Sequence, residues 1–303
     1  MAHMIDGFAI ILEEKILYVS NQDHYSSFEI ILFVEKLISS INPDNIWHLN
    51  NIFLEDPDGN KERIAIKHVI TENNQNLFYC VIGDFDVTSN ETFEMLDDFC
   101  AKVESSYNSI SLLKQASQKS MFKDMIDLTV DYINFKYKNV LKKKPQFTNG
   151  IGKKLNKVLY AGISNQGLPI ISRLYDTSLL FNNHSNLSEE DIELFTSDLS
   201  AKLATITMNA IIRTNKVIKE IHLTDLKDNN KNVIILYGYI NGYSLDFIAS
   251  GDFRKIEDVF QELTARVSQE PILHEEFAGD LKPYKHLKNY LDNLIEEIKQ
   301  LNN

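Results

Sequence analysis

The triplets Gly83-Asp84-Phe85 and Gly251-Asp252-Phe253 occupy the same position in two similar halves of this chain. Each triplet follows an apolar run typical of a β-strand and precedes an amphipathic helical pattern. A short acidic side chain after glycine can accept backbone N–H bonds, so we expect Asp84 and Asp252 to start the next turn and not to act as paired catalytic acids. The repeat predicts two copies of one domain.

The first half has the element order β-β-α-β-β-β-α. Its strands are separated by turn signals such as Asp56-Pro57-Asp58-Gly59, in which proline presets φ and glycine accepts a positive φ. The predicted strands are 8–12, 16–19, 47–54, 63–70 and 77–82, and the predicted helices are 25–41 and 93–103. A further helical tract is predicted for 105–141, interrupted by the polar stretch 115–120.

The second half repeats this order. Ser188 can cap a helix because Asp191, three places on, completes a capping-box-like start. Asn241-Gly242 is a strong hairpin signal. The predicted strands are 158–163, 168–175, 217–223, 233–240 and 243–249, and the predicted helices are the one that begins after Ser188, 256–267 and 285–301.

Consecutive strands joined by hairpins favour an antiparallel sheet, and helices must cover its faces to bury the apolar side chains. The expected fold class is α/β (α+β), with two tandem α-β-α sandwich domains that each contain a five-stranded antiparallel sheet. The predicted bounds are 5–141 for the first domain with its C-terminal helical extension, 142–156 for a basic linker and 157–303 for the second domain.

Composition restricts the function classes. The 303 residues carry a formal charge of −12, which argues against general affinity for nucleic acid, because lysine and arginine supply most of that binding. No apolar run is long enough for a membrane span, so we expect a cytoplasmic protein, with peripheral contact at membranes as an option. The two cysteines, Cys80 and Cys100, are too few for a disulfide framework and are interpreted as buried thiols.

The chain lacks the motifs of the common catalytic sites. Gly150-Ile151-Gly152-Lys153-Lys154 lacks the spacing and the hydroxyl of a phosphate-binding loop. The histidines do not occur at the spacings of zinc sites, and no cysteine has a histidine neighbour that marks an activated nucleophile. We therefore predict no catalytic, cofactor-binding or metal-binding residue, no cofactor, and a protein that is not an enzyme.

Two helix faces are candidate partner surfaces. Phe28, Ile31, Leu32 and Glu35 form a second, largely apolar side of the first predicted helix, opposite the side expected to contact the sheet. Either another helix of this chain, such as the 105–141 tract, or a partner protein covers that side. On the long helix after Ser188, small residues with a flexible methionine form a similar face, with solvent as the alternative: Ala201, Thr205 and Met208.

The predicted linker contains a cluster of lysines without intervening acids: Lys142, Lys143, Lys144, Lys153 and Lys154. A polybasic segment can contact an anionic membrane surface or an acidic partner, at about 1 kcal/mol per lysine near anionic lipid. A solvated linker is the alternative interpretation.

The element order resembles that of the longin domain of membrane-trafficking proteins. The resemblance lies in the hairpin of residues 8–19, the helix 25–41 and the stretch from Trp47 to Asp84, and again in Val158 to Asp252. It is a match of architecture and hydrophobic pattern and covers most of both halves. Roadblock, profilin and GAF-type sensor folds share much of this layout.

The resemblance implies a non-enzymatic scaffold. Longin and roadblock domains pair with one another and form platforms for small GTPases, and tandem longin subunits occur in nucleotide-exchange complexes of vesicle trafficking. The expected partner is therefore a small GTPase or another longin or roadblock protein, with no nucleic acid. The alternative is a pair of small-molecule sensor domains of GAF or profilin type.

Overall fold

A computed structural model describes residues 4–41, 47–85, 90–138, 155–176, 188–225 and 232–301. These residues group into two compact units. The first unit contains the described residues within 4–32, 49–138 and 213–216, and the second contains those within 33–48, 155–212 and 217–301.

The elements of the first half follow the predicted order. The hairpin, the helix 25–41 and the three following strands are confirmed, and the strand ends that differ extend one to four residues beyond those predicted. The elements are β1 Met4–Leu12, β2 Lys15–Val19, α1 Tyr25–Ile41, β3 Trp47–Glu55, β4 Lys61–Ile70, β5 Asn76–Asp84, α2 Asn90–Ser106, α3 Ile110–Ala116 and α4 Ser120–Tyr137.

The second half also follows its predicted order. Its elements are β6 Leu155–Asn165, β7 Leu168–Leu174, α5 Glu189–Thr214, β8 Val217–Asp225, β9 Asn232–Ile240, β10 Tyr243–Gly251, α6 Phe253–Val267 and α7 His286–Leu301. Two 3-10 turns, Pro271–His274 and Lys282–Tyr284, connect the last two helices.

The strand pairing confirms a mixed α/β fold with antiparallel strands. The first five strands have the order β2-β1-β5-β4-β3, and the last five have the order β8-β9-β10-β6-β7. In both halves the first strand therefore pairs with the fifth, as β1 pairs with β5 and β6 with β10. This pairing closes a long loop in sequence, because a helix and two strands lie between the hairpin and the fifth strand of each half.

Helices α2 and α4 cover one sheet face in the first unit. Alternate residues of β1, such as Phe8 and Ile10, join Phe99 of α2 and Ile126 of α4 in one buried cluster. The intervening residues of β1 point to the opposite face, as the period of two requires, and they are equally buried. Both faces of this sheet are therefore covered.

In the second unit α6 and α7 cover one face of the sheet. Phe247 of β10, Leu263 of α6 and Leu291 of α7 belong to one cluster of buried apolar side chains. The opposite face carries Tyr160 of β6, which lies close to Ser200 on the buried side of α5. This second face is considerably more polar than the first.

Three local predictions are confirmed. The Asp252 side chain accepts bonds from the backbone N–H groups of Arg254 and Lys255 and so caps α6. Ser188 and Asp191 form the capping box of α5: the Ser188 N–H donates to Asp191 Oδ2 at 3.1 Å, and the Asp191 N–H donates to Ser188 Oγ at 3.2 Å. Asn241 and Gly242 both have positive φ in the β9–β10 hairpin.

The tract predicted for 105–141 forms two helices. The chain leaves the helical pattern after Ala116 and begins α4 at Ser120, inside the polar stretch 115–120. Among the helices of the described residues, none has the length and apolar character required to span a membrane.

Candidate functional site

The partner surface predicted on α1 is not exposed. The side chains of Phe28 and Ile31 are fully buried, and Leu32 and Glu35 are half-buried. The 105–141 tract, one of the two covers considered above, packs elsewhere: α4 lies against α2, and its buried residues belong to a cluster that contains neither Phe28 nor Ile31. The sequence showed two apolar sides on this helix, but helical periodicity cannot distinguish a side covered within the chain from one left to a partner.

The face predicted on α5 is exposed. Ala201 is half-buried, Thr205 is exposed and Met208 is 41% exposed. The predicted face did not include the larger apolar side chains on the same side, of which Leu194 is 72% and Ile212 is 68% exposed. We call these five residues the α5 surface: Leu194, Ala201, Thr205, Met208 and Ile212.

Helical spacing could have identified the two missed residues. The members of the α5 surface follow one another at intervals of seven, four, three and four residues, which places them on one side of a helix. Ile211, 42% exposed, lies at the edge of this surface. The tip of the β6–β7 hairpin is close by, since a Cβ added to Gly167 would lie 2.9 Å from the Met208 sulfur.

An open groove of about 310 Å³ lies along one edge of the α5 surface, within the second unit. Its lining residues are Phe33, Lys36, Leu37, Ser40, Ala201, Lys202, Thr205, Ile206 and Asn209. The groove brings the predicted Ala201 and Thr205 together with the C-terminal half of α1, and not with the predicted Phe28, Ile31, Leu32 or Glu35.

The groove is suited to binding apolar groups. The hydroxyl groups of Ser40 and Thr205 donate to carbonyls of their own helices, Leu37 O and Ala201 O, each at 2.7 Å. The two charged residues of the lining are both lysines, and Lys202 forms an ion pair with Asp198. An apolar side chain would match this lining.

A buried carboxyl group is the strongest electrostatic feature of the second unit. Asp246 of β10 is fully buried; it accepts a hydrogen bond from Ser244 Oγ at 2.6 Å and a longer one from Ser164 Oγ at 3.5 Å. Burial raises the pKa of the Asp246 carboxyl to about 7, and the two serine hydroxyls oppose this shift. The carboxyl group therefore changes charge near neutral pH.

Phenol groups surround this carboxyl. Asp246 lies opposite Gly162 and Tyr237 on the neighbouring strands. Gly162 provides space for the Tyr160 ring, because a Cβ there would lie 2.2 Å from the Tyr160 hydroxyl. Among the described residues, the hydroxyls of Tyr160, Tyr237 and Ser200 find no hydrogen bond of good geometry, although Ser200 is near enough to lower the pKa of the Tyr160 phenol. Ordered water is the usual way to satisfy such groups.

The Asp246 cluster is enclosed within the second unit. Its carboxyl group has no solvent access through which a substrate could enter. Across the described ranges, no group of histidine, cysteine, aspartate and glutamate side chains is arranged to hold a metal ion. Cys80 and Cys100 are free and buried, as predicted, and burial raises the pKa of both thiols.

The lysines of the predicted linker, Lys142, Lys143, Lys144, Lys153 and Lys154, lie outside the described residues. Their proposed role therefore rests on the sequence.

Comparison with known proteins does not assign this chain to a family. No family model matches this chain, and no curated protein matches it. A solved structure of an RNA-binding light-oxygen-voltage receptor aligns with 88% of this chain and 100% of its own, at 8% identity and a TM-score of 0.17. A TM-score this low does not indicate a shared fold, so the alignment carries no argument about function.

Proposed function

We propose that this chain is a non-enzymatic scaffold that binds a small GTPase or another longin or roadblock subunit. In this proposal the two halves are tandem longin-like α-β-α sandwiches, which the repeated element order supports. The observation that carries the proposal is the exposed α5 surface. Its large apolar side chains, Leu194, Met208 and Ile212, are between 41% and 72% exposed on one side of a helix.

The α5 surface has the properties of a protein-binding site. An apolar stripe on a helix binds a partner through residues spaced by three, four and seven positions. Methionine adapts to different partner shapes, and Met208 is one of the exposed members of this surface. The adjoining groove adds depth for an anchor side chain, which is the usual location of the dominant binding energy.

Regulation of a GTPase by this surface would require no catalytic residue of its own. A binding protein shifts a partner between conformations by the difference of its affinities for them. A scaffold that prefers the nucleotide-free form would promote exchange, whereas one that prefers the GTP form would act as an effector. The chain would act in the cytoplasm, with the linker lysines providing peripheral contact to anionic membranes.

The test is co-elution of the purified chain with small GTPases from its own source, in the nucleotide-free, GDP and GTP-analogue states. We expect one state to co-elute with the wild type. The double substitution Met208→Asp with Ile212→Asp is expected to weaken binding about tenfold or more, because it places charges in an apolar contact. Both side chains are at least 41% exposed, so thermal unfolding should change little.

Leu281→Asp provides the matched control. Leu281 belongs to the same unit and is 48% exposed, but it lies outside α5. Equal loss of binding in both variants would contradict a specific role of the α5 surface. No binding to any GTPase state would contradict the GTPase part of the proposal.

The groove supports the second candidate function, a small-molecule sensor. Its volume of about 310 Å³ is at the lower end of the range for ligand pockets, and its lining combines apolar groups with two lysines. A native mass spectrum of the purified chain with a bound organic acid, lost in Ala201→Trp, would favour this function over GTPase binding.

A further inference from the structure

The outer face of α4 carries a continuous apolar stripe, here called the α4 seam and defined as Met121, Met125, Leu128, Tyr132 and Phe135. Its residues follow one another at intervals of four, three, four and three, which is the spacing of the a and d positions of a coiled coil. Their exposure ranges from 46% at Met125 to 80% at Phe135. The described part of the chain therefore leaves a helix-packing surface open.

The opposite face of α4 holds the helix in place. Its buried residues are Phe122, Ile126, Val130, Ile133 and Tyr137. The Tyr137 hydroxyl also donates to Asp98 of α2 at 2.8 Å, and the Tyr18 hydroxyl of β2 donates to Asp127 at 2.6 Å. The α4 seam is therefore presented by a docked helix and needs no folding step before it binds.

The size of the α4 seam is appropriate for a small symmetric interface. Soluble monomers rarely expose contiguous apolar patches larger than a few hundred Å². Five large apolar side chains, each 46% exposed or more, reach that size. Two copies placed seam to seam approach the lower bound of about 1,200 Å² for specific interfaces.

The flanking charges match a second copy in parallel orientation. With Leu128 at position d, Asp131 is at position g and Lys136 is at position e of the next heptad. In a parallel pair, the g residue of one helix lies beside the e residue of the next heptad on the other helix. Asp131 of each copy therefore lies beside Lys136 of the other copy, which gives two such pairs by symmetry. In an antiparallel pair that brings the same a and d residues into contact, Asp131 would lie beside Asp131 of the other copy. Lys136 already forms an ion pair with Asp98. Asp131 of the second copy would add a second carboxylate to this pair.

We propose that the α4 seam joins two copies of this chain as a parallel homodimer. The seam lies in the first unit and shares no residue with the α5 surface. The proposal is therefore independent of GTPase binding.

Sedimentation of the full chain over a concentration series up to about 100 μM tests the proposed homodimer. Interfaces of this size have dissociation constants in that range or lower. We expect a dimer for the wild type. Leu128→Glu with Phe135→Glu should weaken dimerisation about tenfold or more. Leu112→Glu on α3, where the side chain is 47% exposed outside the seam, should leave it unchanged.

Disulfide trapping tests the orientation and does not depend on a destabilising charge. Leu128→Cys is expected to form a chain-to-chain disulfide under mild oxidation, because d positions face each other in a parallel pair. The Asp131→Cys variant is expected not to form this disulfide, because position 131 lies beside position 131 of the other copy only in the antiparallel pair. A wild type that stays monomeric throughout the series would overturn the proposal and leave the seam to a different protein. Efficient trapping of Asp131→Cys in place of Leu128→Cys would overturn the parallel arrangement.

Discussion

Asp246 combines complete burial with two neutral donors, and this combination determines its protonation. A buried carboxylate without a cationic partner loses its hydration, so the neutral form is favoured. Its hydroxyl donors, Ser244 and Ser164, are too weak to reverse the effect. The carboxyl group therefore holds its proton in the folded chain up to about pH 7, whereas its ordinary pKa is 3.8.

This difference predicts a pH dependence of stability. Between about pH 4 and pH 7 the folded state retains a proton that the unfolded state has released, so the free energy of unfolding falls as pH rises through this window. The contribution of Asp246 is constant above the folded-state pKa. We expect Asp246→Asn, which cannot ionise, to gain stability relative to the wild type by about 1–4 kcal/mol between pH 4.5 and pH 8.

Urea unfolding at a series of pH values measures this effect. Asp258→Asn is the control, because it removes an exposed carboxyl group of α6 in the same unit and leaves Asp246 in place. Parallel profiles for Asp246→Asn and the wild type would mean that Asp246 ionises normally in the folded chain.

At the scale of single elements, Asp252 of the second Gly-Asp-Phe triplet starts helix α6. Asp252 Oδ1 accepts the Arg254 N–H at 3.1 Å and the Lys255 N–H at 3.4 Å, two of the backbone donors that have no partner inside α6. Asp252→Ala removes the acceptor and should lower the free energy of unfolding by about 1 kcal/mol. Urea denaturation at fixed pH is the appropriate measurement.

Asp252→Asn is the matched variant for the cap. Asparagine offers the same acceptor geometry without the charge, so we expect it to retain most of the stability that alanine loses. A loss of equal size in both variants would assign the effect to the carboxylate charge and not to the capping bonds.

Helices α1 and α4 show the limit of element-scale prediction. Each has apolar residues on two sides, yet Phe28 of α1 is fully buried and Phe135 of α4 is 80% exposed. From the sequence, the second apolar side of α1 was expected to be covered either by the 105–141 tract or by a partner protein, and no partner surface was predicted on α4. Amphipathic periodicity identifies a face that avoids water, but which element covers it depends on contacts distant in sequence.

At the scale of the whole molecule, charge is unevenly distributed. The formal charge is −12, whereas the lysines at 142–144 and 153–154 lie in a stretch without acids. The net charge opposes binding to anionic surfaces, and the linker favours it at about 1 kcal/mol per lysine. Because the overall negative charge opposes the attraction of the linker lysines to anionic lipid, we predict weak, salt-sensitive membrane contact through the predicted linker alone.

Vesicle flotation tests this prediction. We expect the chain to float with vesicles containing about 30% phosphatidylserine at low ionic strength, and not with neutral vesicles. Replacing Lys142, Lys143, Lys144, Lys153 and Lys154 by serine should abolish flotation.

Five exposed lysines outside the linker provide the control for net charge: Lys114, Lys123, Lys282, Lys285 and Lys288. Their replacement by serine makes the chain equally acidic and should preserve flotation. If both sets of replacements abolish flotation equally, the linker has no special role.

The sequence by itself determined the elements, their order and their local starts. The Asp252 cap and the Ser188 capping box are short-range features, because their hydrogen bonds join residues two or three positions apart. The Asn241-Gly242 hairpin is equally local, because it depends on the positive φ of two adjacent residues. The tertiary structure alone decided which apolar faces stay open. It buried Phe28, exposed the α4 seam and enclosed Asp246 among groups from three strands, because burial depends on which distant elements pack together and this information is not contained in local periodicity.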